Sequence, residues 1–366
     1  MEFKAPRGTS DHLPDLKANW NKIEIIARET AKSFGYNEIT TPVFEQTGLF
    51  KRAVGEGTDV VQKEMYNLND LGGNEFTLRP EGTAPVCRAF VEHGMHNLPY
   101  PLRLFYIEPM FRHERPQSGR MRQHHQFGVE IFGDNSSEAD AEIILIGLTY
   151  LKKLGIKNLR LKLNSIGNQD SRKKFRKEFL NYFSSKKNEL PEVDKKKFDV
   201  NPIRILDSKE KVTRDLILDS PKPIEFLDDE SKQHWEKLQS IINQMIEHFD
   251  DIDLVIDHNL VRGLDYYSMT VFEIEPIDKS EKSQASILSG GRYDNLISYI
   301  GGPETPAAGF GSGIERVMLS MDDDFFEVDY LPQLTIIPLS SKAWIKTNLL
   351  SNKLREKNIV VVNSSS

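Results

Sequence analysis

Apolar and polar positions along the chain fall into alternating helical and strand-like stretches. Residues 5–14 are punctuated by Pro and Gly and predict a loop. Leu16, Trp20, Ile23, Ala27, Thr30 and Phe34 then recur at helical spacing, with Gly35 as the stop. Ile39–Phe44 reads as a strand. Pro42 interrupts it, and proline favours an edge or a strand end. Phe76–Leu78 predicts a short strand ending in a turn, followed by a helical segment over Ala84–Val91. Met110 and Phe111 lead into a polar loop broken by Pro116–Gly119, and Phe127–Phe132 lead out, which predicts a long-looped hairpin. Ser136 and Ser137 open a helix to Leu154, and Leu159–Leu163 is strand-like.

From about 169 to 251 the chain becomes rich in Lys, Glu and Asp and helical in pattern. The cleanest amphipathic stretch there is Trp235, Leu238, Ile242, Met245 and Phe249. Strands are expected again at Ile252–Ile256, Met269–Ile274 and Ala285–Leu288. Gly309 begins a glycine-rich strand running into a helix that continues to Met321. After an acidic linker at Asp322–Glu327, Leu334–Leu339, Ala343–Lys357 and Ile359–Val362 predict the opening of a βαβ unit.

Composition narrows the class. With 366 residues, 38% hydrophobic and 28% charged, the chain has the make-up of an ordinary globular protein of two or three units. A net charge of −7 means that a nucleic-acid partner would need a local basic patch. The single Cys87 excludes an intrachain disulfide. No run reaches membrane-spanning length and no signal-peptide core is visible, so a cytoplasmic protein is expected.

The candidate chemistry concentrates in the hairpin. Arg112, Arg115, Arg120 and Arg122 sit among His113, His124, His125, Glu114 and Glu130. Arginine offers a planar fork suited to phosphate oxygens. The competing reading is a solvated basic edge strand. In the turn after Phe76–Leu78, Glu81 and Thr83 can together accept from a ligand ammonium, or Thr83 can cap the next helix. A zinc site at the three histidines competes less well, since adjacent strand residues point to opposite faces.

Spacing adds a resemblance. Phe111-Arg-His-Glu-Arg-Pro-Gln117 with Gln126-Phe-Gly-Val-Glu130 is similar to motif 2 of class II aminoacyl-tRNA synthetases, and to the histidyl-tRNA synthetases in particular. Leu78-Arg-Pro-Glu-Gly-Thr83 resembles that family's amino-acid-binding turn, and Leu260-Val-Arg-Gly-Leu-Asp-Tyr-Tyr267 and Ser289-Gly-Gly-Arg-Tyr-Asp294 resemble its two histidine-specific blocks. The helix and strand before Glu45 resemble motif 1, and Gly309–Arg316 motif 3. The resemblance covers residues 1 to about 325. It implies an α+β fold, an antiparallel sheet flanked by helices, with a helical insertion at about 169–251 leaning over the tRNA acceptor arm. Residues 330–366 would begin an α/β anticodon-binding domain that the chain leaves incomplete, which would weaken tRNA binding.

The same resemblance implies activation of L-histidine by ATP, with Mg2+ on the phosphates, and transfer to tRNA(His) by a homodimer. Arg112 and Arg262 would take the α-phosphate and carboxylate, and Arg120 and Arg316 the outer phosphates. Glu114 would read the adenine amino group. Glu81, Thr83 and Gln126 would hold the substrate ammonium. Glu130, Tyr267 and Tyr293 would read the imidazole, with Tyr266 lining the pocket. His124 stands where the family often has the phenylalanine that stacks on adenine. The alternative is a synthetase-like regulatory subunit of ATP phosphoribosyltransferase. Retention of Arg112, Arg262 and Arg316 favours the enzyme.

Overall fold

The structure is a computed structural model and describes residues 3–277, 286–321 and 332–364. Contacts divide the chain into two units, residues 1–11 with 22–325, and residues 12–21 with 326–366.

Helix α1 (Pro14–Ser33) ends where Gly35 adopts a positive φ of 83° and its N–H reaches the Lys32 carbonyl. The expected strand at Ile39–Phe44 is not continuous. Strand β1 (Asn37–Glu38) and β2 (Phe44–Gln46) flank an irregular stretch. Pro42 lacks the N–H a ladder needs, and the Thr41 N–H and hydroxyl donate instead to the buried Glu108 carboxylate at 3.0 and 3.1 Å. Buried Arg79 completes that knot with a 2.6 Å contact to Glu108 and a 2.8 Å bond to the Thr41 carbonyl.

Helix α2 (Thr47–Val54) follows. Strands β3 (Tyr66–Asn69) and β4 (Glu75–Leu78) join β2 in a three-stranded sheet in the order β2-β4-β3. Helix α3 (Thr83–Glu92) leads to the predicted hairpin, β5 (Leu102–Phe111) and β6 (Gln123–Phe132), paired antiparallel over all ten positions. Ser136 caps α4 (Ser137–Lys153) by accepting from the Ala139 N–H at 3.2 Å. Strand β7 (Leu159–Ser165) precedes the charged stretch, which folds as α5 (Gln169–Phe183), α6 (Glu192–Val200), α7 (Lys211–Leu218) and α8 (Asp229–Ile246). Phe175, Phe179, Phe183 and Phe198 give these helices a small core of their own.

Strands β8 (Ile252–Ile256), β9 (Ser268–Pro276), β10 (Leu288–Arg292) and β11 (Ala307–Gly313) complete an eight-stranded sheet in the order β1-β5-β6-β11-β10-β9-β7-β8. It is antiparallel except at its two edge pairs, β1 with β5 and β7 with β8. The strand expected from Ala285 starts at Leu288; Ala285 lies outside the described residues, as does the acidic linker. Short α9 (Leu296–Tyr299) follows β10, and α10 (Ile314–Met318) follows β11. In the second unit, parallel β12 (Leu334–Ile336) and β13 (Val361–Asn363) are joined by α11 (Ser341–Arg355), the predicted βαβ opening.

Candidate active site

Strand register builds the site. On β6, alternation puts His124, Gln126, Gly128 and Glu130 on one face, with Gly309, Gly311 and Gly313 of β11 opposite Glu130, Gly128 and Gln126. Those glycines leave room for their neighbours. A Cβ on Gly309 would collide with Glu130 Oε2, and one on Gly311 with Gln126 Nε2. On the other face of β6, the Phe127 ring packs 4.9 Å from Tyr150 of α4. The sheet is therefore sealed on one side and open to polar groups on the other.

Glu130 is the fully buried centre. Its carboxylate accepts from the hydroxyls of Thr83 at 2.8 Å, Tyr106 at 3.4 Å and Tyr293. Burial pushes this carboxyl up to about 8, against the pull of the Tyr293 and Thr83 hydroxyls. The Tyr266 ring packs edge-on to Tyr293 at 5.6 Å and tilted against Tyr267 at 4.7 Å. Burial raises all three phenols, so they stay protonated donors at neutral pH.

The capping reading of the turn holds, but with a different residue. Helix α3 is capped by Glu81, which accepts from the Thr83 N–H at 2.8 Å and the Ala84 N–H at 2.9 Å. Thr83 is already the first helical residue, and its hydroxyl turns to Glu130. Burial raises the Glu81 carboxyl.

The cationic half comes from three places in the chain. Arg112, at the end of β5, donates through Nε to the Pro80 carbonyl at 2.7 Å. Glu114 lies between Arg112 at 3.9 Å and Arg120 at 3.6 Å. Arg316 on α10 reaches back to the Gly119 and Ser286 carbonyls, both at 3.0 Å. Arg262 is held by Glu273 and by the Ser289 hydroxyl at 2.7 Å. Burial and the neighbouring Arg120 and Arg112 push the Arg316 guanidinium down. Burial, with Arg112, Arg316 and His125 nearby, pushes His124 down to about 3, so its ring is neutral.

Eleven of the thirteen residues singled out from sequence line one cleft of about 240 Å3, the exceptions being Glu130 and Tyr293. Those two sit behind it, with Glu130 bonded to Thr83 on the lining. Three buried polar atoms of the lining have no hydrogen-bond partner among the described residues: Gln126 Oε1, Arg120 Nε and Arg262 Nε. Such atoms are costly unless a ligand satisfies them. The three hairpin histidines do not converge, since His113 packs edge-on against Tyr66 while the His125 N–H and ring turn to Glu315.

Sequence reasoning missed Tyr106, Ser289, Glu273 and Glu315. Tyr106 sits in a strand that reads mostly as core, and its ring reaches Glu130 across Gly128, directly opposite, with Gly82 also leaving it room. Ser289 and Glu315 fall inside two stretches that carried the resemblance without a role assigned to them, while Glu273 meets Arg262 from its place on β9 beside Ser289, for which no local pattern exists.

The family profile described as histidyl-tRNA synthetase matches residues 8–317. The histidine–tRNA ligase of Caldanaerobacter subterraneus subsp. tengcongensis is 44% identical over 357 residues, covering 97% of this chain and 84% of that protein. That of Geobacillus thermodenitrificans is 44% identical over 329 residues, 90% of this chain and 76% of its own. Among solved structures, apo S. aureus histidyl-tRNA synthetase superposes with a TM-score of 0.80 at 32% identity, covering all of this chain and 85% of its own. A Bacillus halodurans protein described as an ATP phosphoribosyltransferase regulatory subunit/histidyl-tRNA synthetase matches at 23% identity and a TM-score of 0.72, which speaks for the fold alone. With profile, sequence and fold matched across nearly the whole length, the chain belongs to the histidyl-tRNA synthetase family.

Proposed function

We propose that the chain activates L-histidine with ATP and transfers the histidyl group to the 3′ end of tRNA(His). The observation that carries this is a buried carboxylate and phenol cluster at Glu130 backing a cleft whose other wall is arginine. One end suits an imidazole, which needs a partner at each ring nitrogen when buried. The other suits a polyphosphate.

In this reading the nucleophile is the histidine carboxylate, anionic at neutral pH. Its oxygen attacks the α-phosphorus of ATP, the bond to the β-phosphate bridging oxygen breaks, and pyrophosphate leaves. No strong base is needed, so catalysis is positioning plus neutralisation of phosphoryl charge. Arg112 and Arg262 take the α-phosphate and carboxylate, and Arg120 and Arg316 the outer phosphates. Glu114 reads the adenine amino group, and the neutral ring of His124 stacks on the base. Gln126 Oε1 and Glu81 accept from the substrate ammonium, while Thr83 orients Glu130. Glu130, Tyr293 and Tyr267 read the imidazole, and Tyr266 closes the pocket. A ribose hydroxyl of the tRNA end then displaces AMP from the adenylate.

Mg2+ enters as part of the ATP substrate. The carboxylates lining the cleft, Glu81, Glu114 and Glu315, are each already paired with N–H groups or guanidinium. Phosphate oxygens would therefore hold the ion, adding charge neutralisation. We further infer a homodimer through α1 and residues 39–45, where Val43 and Phe44 stay exposed. The α5–α8 insertion then faces the acceptor arm, and residues 330–366 belong to an anticodon-binding domain. No described helix is long and apolar enough to cross a membrane, and a cytoplasmic site of action fits the proposed substrates.

Histidine-dependent exchange of labelled pyrophosphate into ATP tests the reading. Exchange that requires histidine is expected. Its absence in folded protein would move the regulatory-subunit reading to first place.

A further inference from the structure

A second cavity, of about 570 Å3, lies in the same unit and is also lined by the segment bearing Arg262, Tyr266 and Tyr267. Its walls come from α2, α5, the Val200–Arg204 stretch and residues 261–267. Six cationic side chains and one carboxylate, Asp265, line it, on a chain whose net charge is −7. Such local accumulation of one sign raises the concentration of counter-ions and anionic ligands. Four of the six are committed to protein partners: Arg262 to Glu273 and Ser289, Lys173 to Asp170 at 3.1 Å, and Arg172 and Arg204 to the scaffold. Arg172 donates to the carbonyls of Asp265 at 3.2 Å and Tyr267 at 2.7 Å. Arg204 pairs with Asp59 at 2.6 Å. Arg52 and Arg176 are exposed and make no ion pair among the described residues. Ile166, Phe175, Ile203 and Val261 supply the apolar surface between them. Arginine forks beside an apolar wall suit a ring that carries phosphate, and the volume is that of a small-molecule site.

The two cavities share Arg262, Leu264, Tyr266 and Tyr267. Arg172 grips the backbone of this same segment from the second cavity. A ligand there would press on the pocket's own wall.

We propose that this cavity is a second ligand site for a nucleotide-class anion, and that its occupation changes histidine affinity through the 261–267 segment. The coupling rests on the function proposed above; the binding does not. The ligand chemistry has two sources, a free nucleotide or the 3′-terminal nucleotides of an RNA. Calorimetry on the full chain, presaturated with histidine and a non-hydrolysable ATP analogue, would use GDP for the first source and the trinucleotide CCA for the second. One probe is expected to bind. The doubly charge-reversed Arg52→Glu/Arg176→Glu protein should bind it at least ~10-fold more weakly, since two charge-assisted contacts are lost. Its exchange activity without probe should match the unaltered protein, which shows that it is folded. Binding of neither probe, or equal binding by the variant, overturns the site. In pyrophosphate exchange, the bound probe should shift the half-saturating histidine concentration in the unaltered protein and not in the variant. Binding without that shift overturns the coupling. Loss of exchange altogether would count against the proposed function, while calorimetry would still judge the site.

Discussion

Replacing Glu130 by Gln or Ala tests the imidazole-reading role through its proton. The carboxyl, raised to about 8, is protonated in the empty protein at neutral pH, while a free imidazole titrates near 6.5, an approximate reference value. A complex in which carboxyl and imidazole share one proton forms without net proton exchange between those two values. Histidine affinity should therefore be level across that window, fall below it as the ligand gains a second proton, and fall above it as the shared proton is lost. Glu130→Gln keeps the shape and cannot titrate, so the upper limb should vanish. The α-ammonium contributes its own limb to both proteins, which leaves the difference between them as the measurement.

Glu130→Ala goes further and strips the acceptor from Thr83 and Tyr293. The bound imidazole loses its partner too, and an unsatisfied buried donor costs about 1–3 kcal/mol, so the half-saturating histidine concentration should rise roughly 5- to 150-fold while that for ATP barely moves. Stability carries the same signature. The folded state holds a proton that the unfolded chain releases between 4.5 and about 8, so stability falls as pH rises through that window and levels off above it. The slope amounts to a few kcal/mol at most, on the order expected for a buried carboxyl, and Glu130→Gln should remove it in urea melts at pH 5 and pH 8. Equal effects on histidine and ATP, or an unchanged upper limb in Glu130→Gln, would refute the assignment.

Gly311→Ala should abolish histidine binding by displacing Gln126, read as lost exchange with native circular dichroism. His124, held neutral by burial and cations down to about 3, should give an ATP requirement free of any histidine titration between pH 5 and 7. A limb near 6.5, the approximate free value, would place that ring in water. Asp140→Ala would remove one of the two carboxylates on the buried Arg292 guanidinium, which meets Asp140 at 2.5 Å and Asp294 at 3.0 Å, together with the acceptor of the Thr270 hydroxyl, and should cost about 3 kcal/mol in urea unfolding. Sedimentation at micromolar concentration should show a dimer, and an active monomer would contradict the interface proposed at residues 39–45.

The hairpin and the turn at Glu81 were legible in the chain as local patterns, whereas the tyrosine pair stood out only through the family resemblance. Turn residues, alternation and charge spacing act over a few positions, and strands β5 and β6 followed from them. Gly35 and Ser136 likewise marked helix ends by chemistry that needs no distant partner. Ile39–Phe44 failed because its apolar alternation was outweighed by one missing N–H at Pro42 and by Glu108, sixty-seven residues from Thr41. The cap of α3 went to Glu81 over Thr83 because Glu130, on another strand, draws the threonine hydroxyl away. Only the tertiary structure put Glu130 behind the cleft, set Tyr106 over Gly128 and gave Arg262 its Glu273 and Ser289 partners. Those contacts depend on register across strands far apart in the chain. Proton affinity, too, follows from burial, which no stretch of sequence possesses until the sheet closes over it.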